Sequence, residues 1–280
     1  MVKVISLVNM KGGIGKSTLT ANLAWEYSAY EQWSKRVLVV DLDPQFNVSQ
    51  YLLGADRYKN EIFIPNEPTT WDIFEQNTRI PGKTKTSLDP SNVIKRAVTI
   101  NGGGIIDIIP SRLELSYSLK NPAQKEFLLA EFLNNVKSNY DLIIIDCPPT
   151  ESLLTTSAYL ATDFVLVPVK PEFLSMIGLP LLARSLNDFQ SQYKKSVEIT
   201  GIVFNNTSNY SPEEIKSKKE VRYESASRGW YIFNREINTS KSYPKGARES
   251  MPVFRTTYAR TDVATQFHGF AEELATRINL

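Results

Sequence analysis

The run Lys11-Gly12-Gly13-Ile14-Gly15-Lys16-Ser17-Thr18 carries the residue types needed to grip phosphate groups. Glycines let a backbone curl until several N–H groups point at one set of oxygens. The run follows an apolar stretch, VKVISLVN over 2–9, and opens a helical pattern. That is the strand–loop–helix context a phosphate cradle requires. The helix N-terminus adds its partial positive charge. Lys16 is placed to meet β- and γ-phosphates, the Ser17 hydroxyl to ligate Mg²⁺, and the Thr18 hydroxyl to contact a phosphate. The common pattern G-x-x-x-x-G-K-[ST] puts glycine at position 10. This chain has Met10 there, and a second lysine, Lys11, ahead of two glycines.

Two carboxylate segments follow. In RVLVVDLDPQ an apolar strand ends at Asp41 and Asp43, whose i, i+2 spacing sends both to one side of the sheet. In YDLIIIDCPP a second apolar strand ends at Asp146. A carboxylate at the C-terminal end of a strand lies where open α/β sheets bind ligands. Asp146 suits Mg²⁺ held through water, because that ion sheds its hydration reluctantly. Cys147, beside it, has no activating histidine in sight and reads as a small buried residue.

K-G-G-x-G-K-[ST], with both acidic segments in order behind it, resembles the deviant Walker A signature of the ParA/MinD family of ATPases. The similarity extends from residue 2 to about 278 and is weakest at 55–104 and 207–250. It implies a P-loop fold, ATP and Mg²⁺ as cofactors, and an ATP-bound homodimer with nucleotide at the interface. It implies catalytic work for Lys11, Lys16 and Asp43. Lys11 would reach into the partner's site, and a cation supplied there neutralises charge on the transferring phosphoryl. Asp43 would orient the attacking water and Asp41 would lie near the Mg²⁺ shell, with Ser17 and Asp146. Gly12, Gly13, Ile14, Gly15 and Thr18 complete the cradle. Asn205, closing the run Ile202-Val203-Phe204, would read the adenine edge, since an amide donates and accepts together. The same Asn205-Asn206 pair would equally suit a turn. Val169-Lys170-Pro171-Glu172 resembles a stretch that lies near the family's dimer face. The family's I-P-R…G-K-P segment is matched only at its ends, with Asn238 in place of proline.

These residues need a scaffold to hold them. Apolar runs at 2–9, 36–42, 105–109, 141–146, 163–169 and 198–205 alternate with helical patterns at 16–30, 122–138, 151–161, 178–193 and 262–278. Such alternation predicts an α/β fold with a mostly parallel sheet flanked by helices on both faces. Several runs are continuous Val/Ile/Leu, as strands covered on both faces require. The reading is one domain over 1–280, with an irregular insertion at about 55–104 and short helices near 70–76 and 90–97.

With 280 residues, 42% of them apolar, the chain can bury a large core. A single cysteine excludes a disulfide framework, a single-chain zinc–cysteine site and a single-chain iron–sulfur site. The lone His268 leaves little room for histidine catalysis. No signal peptide or membrane span is expected, and the location predicted is cytoplasmic and nucleoid-associated. No helix-turn-helix extension is expected ahead of the first strand.

The net charge is +2, but residues 211–260 hold 11 Lys/Arg against 6 Asp/Glu. This basic stretch suggests an anionic partner. Lacking a recognition-helix signature, it predicts non-specific, salt-sensitive DNA binding through phosphates. A ParB-like or other stimulating partner protein is then expected, with a plasmid, chromosome or protein cluster as cargo. Two alternatives stand beside this reading. One is a MinD-like membrane switch, although FHGFAEELATRINL reads as a core-packing helix rather than a lipid anchor. The other is a P-loop metabolic enzyme on the same core.

Overall fold

The computed structural model describes residues 1–76, 88–120, 122, 124–172, 175–208 and 210–280. The six apolar runs form β1 (Lys3–Leu7), β2 (Arg36–Asp41), β4 (Ile105–Ile109), β5 (Leu142–Asp146), β6 (Phe164–Val169) and β7 (Glu198–Thr207), and two short edge strands join them: β3 (Lys95–Thr99) and β8 (Ile237–Asn238). The order across the sheet is β3-β4-β2-β5-β1-β6-β7-β8. All pairings are parallel except β3 with β4. Fold class and single-domain architecture are therefore as the sequence predicted.

Helices cover both faces, as parallel strands demand. They are α1 (Lys16–Ala29), α2 (Asn47–Leu53), α3 (Ala55–Tyr58), α4 (Thr70–Glu75), α5 (Pro90–Val93), α6 (Leu128–Val136), α7 (Leu153–Ala161), α8 (Ser175–Tyr193), α9 (Pro212–Ser227), α10 (Ser242–Glu249) and α11 (Thr261–Ile278). Side chains alternate along each strand, which splits the core in two. Ile5, Leu7, Val37, Val39, Ile106 and Ile144 face α1 and α11. Val4, Leu38, Val40, Ile143, Ile145 and Val167 face α6, α7 and α8. Val263, Phe267, Phe270, Leu274 and Ile278 of α11 are all buried in the first layer, so its apolar face is already used.

Two expectations shift, and one helix was not foreseen. The helix near 90–97 is only Pro90–Val93, and the next residues form β3, an edge strand whose Arg96 pairs with Asp107 of β4. The helix of 122–138 shrinks to Leu128–Val136, after a 3₁₀ segment at Leu113–Lys120. Helix α9 has no apolar stripe to announce it, because it buries mainly small or polar residues, Glu214, Ser217 and Ser225 beside Val221. Residues 77–87 of the irregular stretch lie outside the described residues. At its far end Gly104 sits directly under α1, where a Cβ would overlap the Ser28 carbonyl.

Candidate functional site

β1, β2 and β5 are neighbours in the sheet, and their C-terminal ends meet. Asp41 and Asp146 are register partners across β2 and β5. The chain leaving β1 turns through residues 10–15 into α1, with Gly13 at φ 72 and Gly15 at φ 88. Side chains rarely adopt such angles, so glycine is required at this bend. Asn9 braces it: its Nδ2 donates to the Pro168 carbonyl (2.7 Å) and its Oδ1 accepts from the Lys11 amide (3.0 Å). Met10, where the common pattern has glycine, packs against the α7/α8 side of the core.

Lys16 is buried and folds back over the loop, donating to the carbonyls of Asn9 (3.3 Å) and Lys11 (3.2 Å). Burial lowers its pKa, and the nearby carboxylates of Asp146 and Asp43 oppose that shift. The ammonium has only long bonds to neutral carbonyls, so it is poised for a stronger anionic partner. Lys11 points elsewhere, to an ion pair with Glu172 of the same chain, whose other oxygen holds Lys170 at 3.0 Å.

The three aspartates differ in what their oxygens do. Asp146 is fully buried. Its Oδ1 accepts weakly from the Thr20 hydroxyl (3.4 Å), and its Oδ2 has no hydrogen-bond partner among the described residues. Burial pushes its pKa up, against the pull of Ser17 and Lys16. Asp43 borders the cavity, with Oδ1 accepting from the Gln45 amide (2.9 Å). Asp41, the register neighbour of Asp146, has both oxygens engaged by the protein. Its Oδ1 accepts from the Asp43 amide (3.0 Å), and its Oδ2 from the Ser49 amide (3.0 Å) and hydroxyl (2.6 Å). Ser49 Oγ in turn accepts from the Ser111 amide (2.9 Å). Asp41 is thus a buried staple for the β2–α2 turn, its pKa raised by burial and by Asp146. Cys147 is buried, and burial pushes its thiol up, as suits a packing residue.

In front of the loop lies a cavity of about 810 Å³. Gly12 to Leu19, Asp43, Pro149, Asn205 and Asn206 form one side, and Tyr243, Pro244, Ala247 and Arg248 of α10 form another. Sequence reasoning missed the α10 wall, for which the divergent segment gave no signal. Asn9 was a findable omission, because it is the polar residue that closes the apolar run VKVISLVN. Asn205, expected at the base, donates from Nδ2 to the Ile14 carbonyl at 2.7 Å.

The donor set fits a magnesium-bound nucleotide. Among the described residues no cluster of three His, Cys, Asp or Glu side chains could hold a metal alone. The orphaned Asp146 oxygen beside Ser17 suits a hydrated ion that takes its remaining ligands from phosphate.

The basic stretch at 211–260 is less bare than its composition. Lys218 and Arg222 pair with Glu236, Arg228 with Glu224, Lys245 with Glu249 and Arg260 with Asp262. Lys216, Lys219, Lys241 and Arg248 are exposed cations with no such pairing among the described residues. No described helix is long and apolar enough to cross a membrane.

Comparison with known proteins bears on this geometry. The profile of the AAA domain family AAA_31 matches residues 2–199. The sporulation initiation inhibitor protein Soj of Bacillus subtilis is 32% identical over 206 residues, spanning 72% of each chain. The chromosome partitioning protein ParA of Caulobacter vibrioides is 30% identical over 207 residues, covering 72% of this chain and 68% of that one. Among solved structures, Cyanothece McdA in complex with ATP superposes with a TM-score of 0.79 at 19% identity, covering 98% of this chain and 96% of that one.

Proposed function

The chain belongs to the AAA_31 family of ParA/MinD-like P-loop proteins, and from that membership we propose that it is an ATP-hydrolysing switch that dimerises on ATP, holds DNA non-specifically and positions a cargo. The observation that carries this reading is the meeting of the Gly13–Gly15 bend and the under-coordinated Lys16 ammonium at one cavity, with the orphaned Asp146 oxygen buried behind the loop. ATP is the substrate that supplies what those three groups lack.

In this mechanism the amides of Gly12 to Thr18 and the Lys16 ammonium bind the phosphates. Ser17 and Asp146 hold Mg²⁺, which when bound withdraws charge from the phosphate oxygens. Asp43 orients the attacking water and accepts its proton, while Asp41 keeps the Asp43 amide in place. Lys11 exchanges Glu172 for the partner's phosphates, which couples nucleotide state to assembly. A stimulating partner protein, ParB-like in kind, raises turnover. The unpaired cations Lys216, Lys219, Lys241 and Arg248 are the candidates for DNA phosphate, and a dimer doubles such contacts. The apolar face of α11 lies in the core, which favours this reading over a lipid-anchored switch.

The test is retention of the purified protein on a DNA matrix with ATP, ADP or no nucleotide, with particle size measured in parallel. Retention and a doubled mass with ATP alone are expected, and retention should fall steeply across a salt series. Equal retention in all three states would remove DNA from the reading; a constant mass would remove the switch.

A further inference from the structure

Just after Asp43 the backbone takes a shape that its side chain resists. The Phe46 amide donates to the Asp43 carbonyl (2.9 Å), closing a four-residue turn with Pro44 at its second position. Phe46 then stands at φ 46 and ψ 34 as the N-cap of α2. That is the left-handed region, where a bulky residue is strained and glycine is not. Among the described non-glycine residues with positive φ, Phe46 is the only aromatic one. Such strain persists only where the surroundings enforce it.

Tyr58, at the end of α3, enforces it here. The two rings stack, with centroids 5.1 Å apart and planes at 5°. Tyr58 is itself fixed: it is buried, and its hydroxyl donates to the Ser111 carbonyl at 2.7 Å. The Ser111 amide donates in turn to Ser49 Oγ, the hydroxyl that holds Asp41, and Asp41 accepts from the Asp43 amide. The turn is therefore gripped at both ends, by Asp41 at its first residue and by the stacked rings at its last. Asp43 borders the cavity, whereas neither ring lines it.

We propose that Phe46 and Tyr58 are positioning residues for phosphoryl transfer: their stacked rings hold the Asp43 turn in a strained shape that aims its carboxylate at the attacking water. The inference rests on the reading of Asp43 as the group that orients that water. It also gives the irregular stretch after α2 a task, because Tyr58 belongs to it. Losing the stack changes the chemical step and spares nucleotide binding, since a small misplacement of a reacting group costs rate rather than affinity.

The test is phosphate release with ATP and Mg²⁺, giving kcat and KM separately, beside the unfolding midpoint of the ligand-free protein. Phe46→Gly removes the ring and leaves a residue at ease at φ 46. It should lower kcat by about tenfold with KM unchanged. Tyr58→Leu, which keeps apolar bulk but no ring, should do the same, while Tyr58→Phe keeps the stack and should keep most of the rate. The double variant Phe46→Gly/Tyr58→Leu should be no slower than the slower single one, because the rings act as one unit. Normal kcat in Phe46→Gly overturns the proposal, whatever the midpoint does. So does a rise in KM alone, an equal loss in Tyr58→Phe and Tyr58→Leu, or losses that multiply in the double variant. If one position's variants fail to fold, those at the other decide. Asp43→Asn, run in parallel, separates the two readings. If it hydrolyses ATP at the normal rate, the role of Asp43 falls; if it is slow while Phe46→Gly is not, only the role of the rings falls.

Discussion

The two ends of helix α1 each bury a carboxylate, and the two carboxylates have opposite relations to the protein around them. Near the first turn stands Asp146, reached by Thr20 of the helix and by Lys16 and Ser17 at its start. Near the last turn stands Glu26, fully buried, with the His268 ring nitrogen Nδ1 at 2.6 Å. Burial raises the pKa of both. Each also has one oxygen without a hydrogen-bond partner among the described residues. What separates them is what that end of the helix opens onto. Asp146 sits behind a phosphate loop and a large cavity. Glu26 is closed in by α11, with Tyr30 and Trp33 flanking the histidine ring at 4.8 and 5.4 Å. A buried, destabilised acid alone therefore does not mark a catalytic centre; the space its free oxygen serves decides.

The contrast can be broken in three ways. The largest effect is expected from Lys16→Ala, which removes the only buried ammonium of the loop. ATP affinity should fall by about a thousandfold, the loss of several charge-assisted bonds. Calorimetry showing near-normal affinity would mean that the two ends of α1 are not functionally distinct.

Next, Asp146→Asn keeps shape and removes charge. Turnover should drop by about a hundredfold, as for a lost electrostatic group in a phosphoryl-transfer site. The ligand-free protein should nonetheless be as stable as the unsubstituted one or more so, because a poorly partnered buried acid costs stability. Chemical denaturation beside a phosphate-release assay reads both quantities. A stability loss would make Asp146 a structural acid like its counterpart.

The smallest effect is expected at the other end. Glu26 is raised from 4.5 to about 7, chiefly by burial. Below pH 4.5 the acid is neutral in folded and unfolded chains, and its ionisation costs nothing. Between 4.5 and about 7 the unfolded chain releases the proton while the folded one keeps it, so stability falls as pH rises and then levels off. Tyr27, Tyr30, Tyr243, His268, Glu272 and Arg255 face or neighbour this acid, so the slope belongs to the cluster. Thermal melts across that window should flatten in Glu26→Gln, while ATP turnover at fixed pH stays unchanged.

The two ends also differ in legibility. The phosphate end is a contiguous run, and its chemistry fixes both residue type and spacing, so Lys11 to Thr18, Asp43 and Asp146 could be named from the chain alone. The Glu26–His268 contact joins residues 242 apart in sequence. Neither residue has a local pattern, and only the docking of α11 on α1 brings them together. The α10 wall was invisible for a similar reason, since Tyr243 and Arg248 reach the cavity through tertiary placement. The hydrogen bonds of Asp41 to the following turn had no signal in the sequence, because an i, i+2 pair does not show which member the turn engages. The turn then spends one member of the pair on Ser49 and offers the other to the cavity. β3 was hidden because an edge strand needs only half an apolar face.

One last consequence follows from Gly104. The 14 residues of α1 make a rod of about 21 Å, seated at its tail on a turn with no room for even a methyl group. Levering that tail outward would tilt the head, where Lys16 and Ser17 begin. A mutation at the floor of the sheet, remote from any ligand, would thus surface as poor nucleotide retention and be mistaken for a lesion of the binding loop.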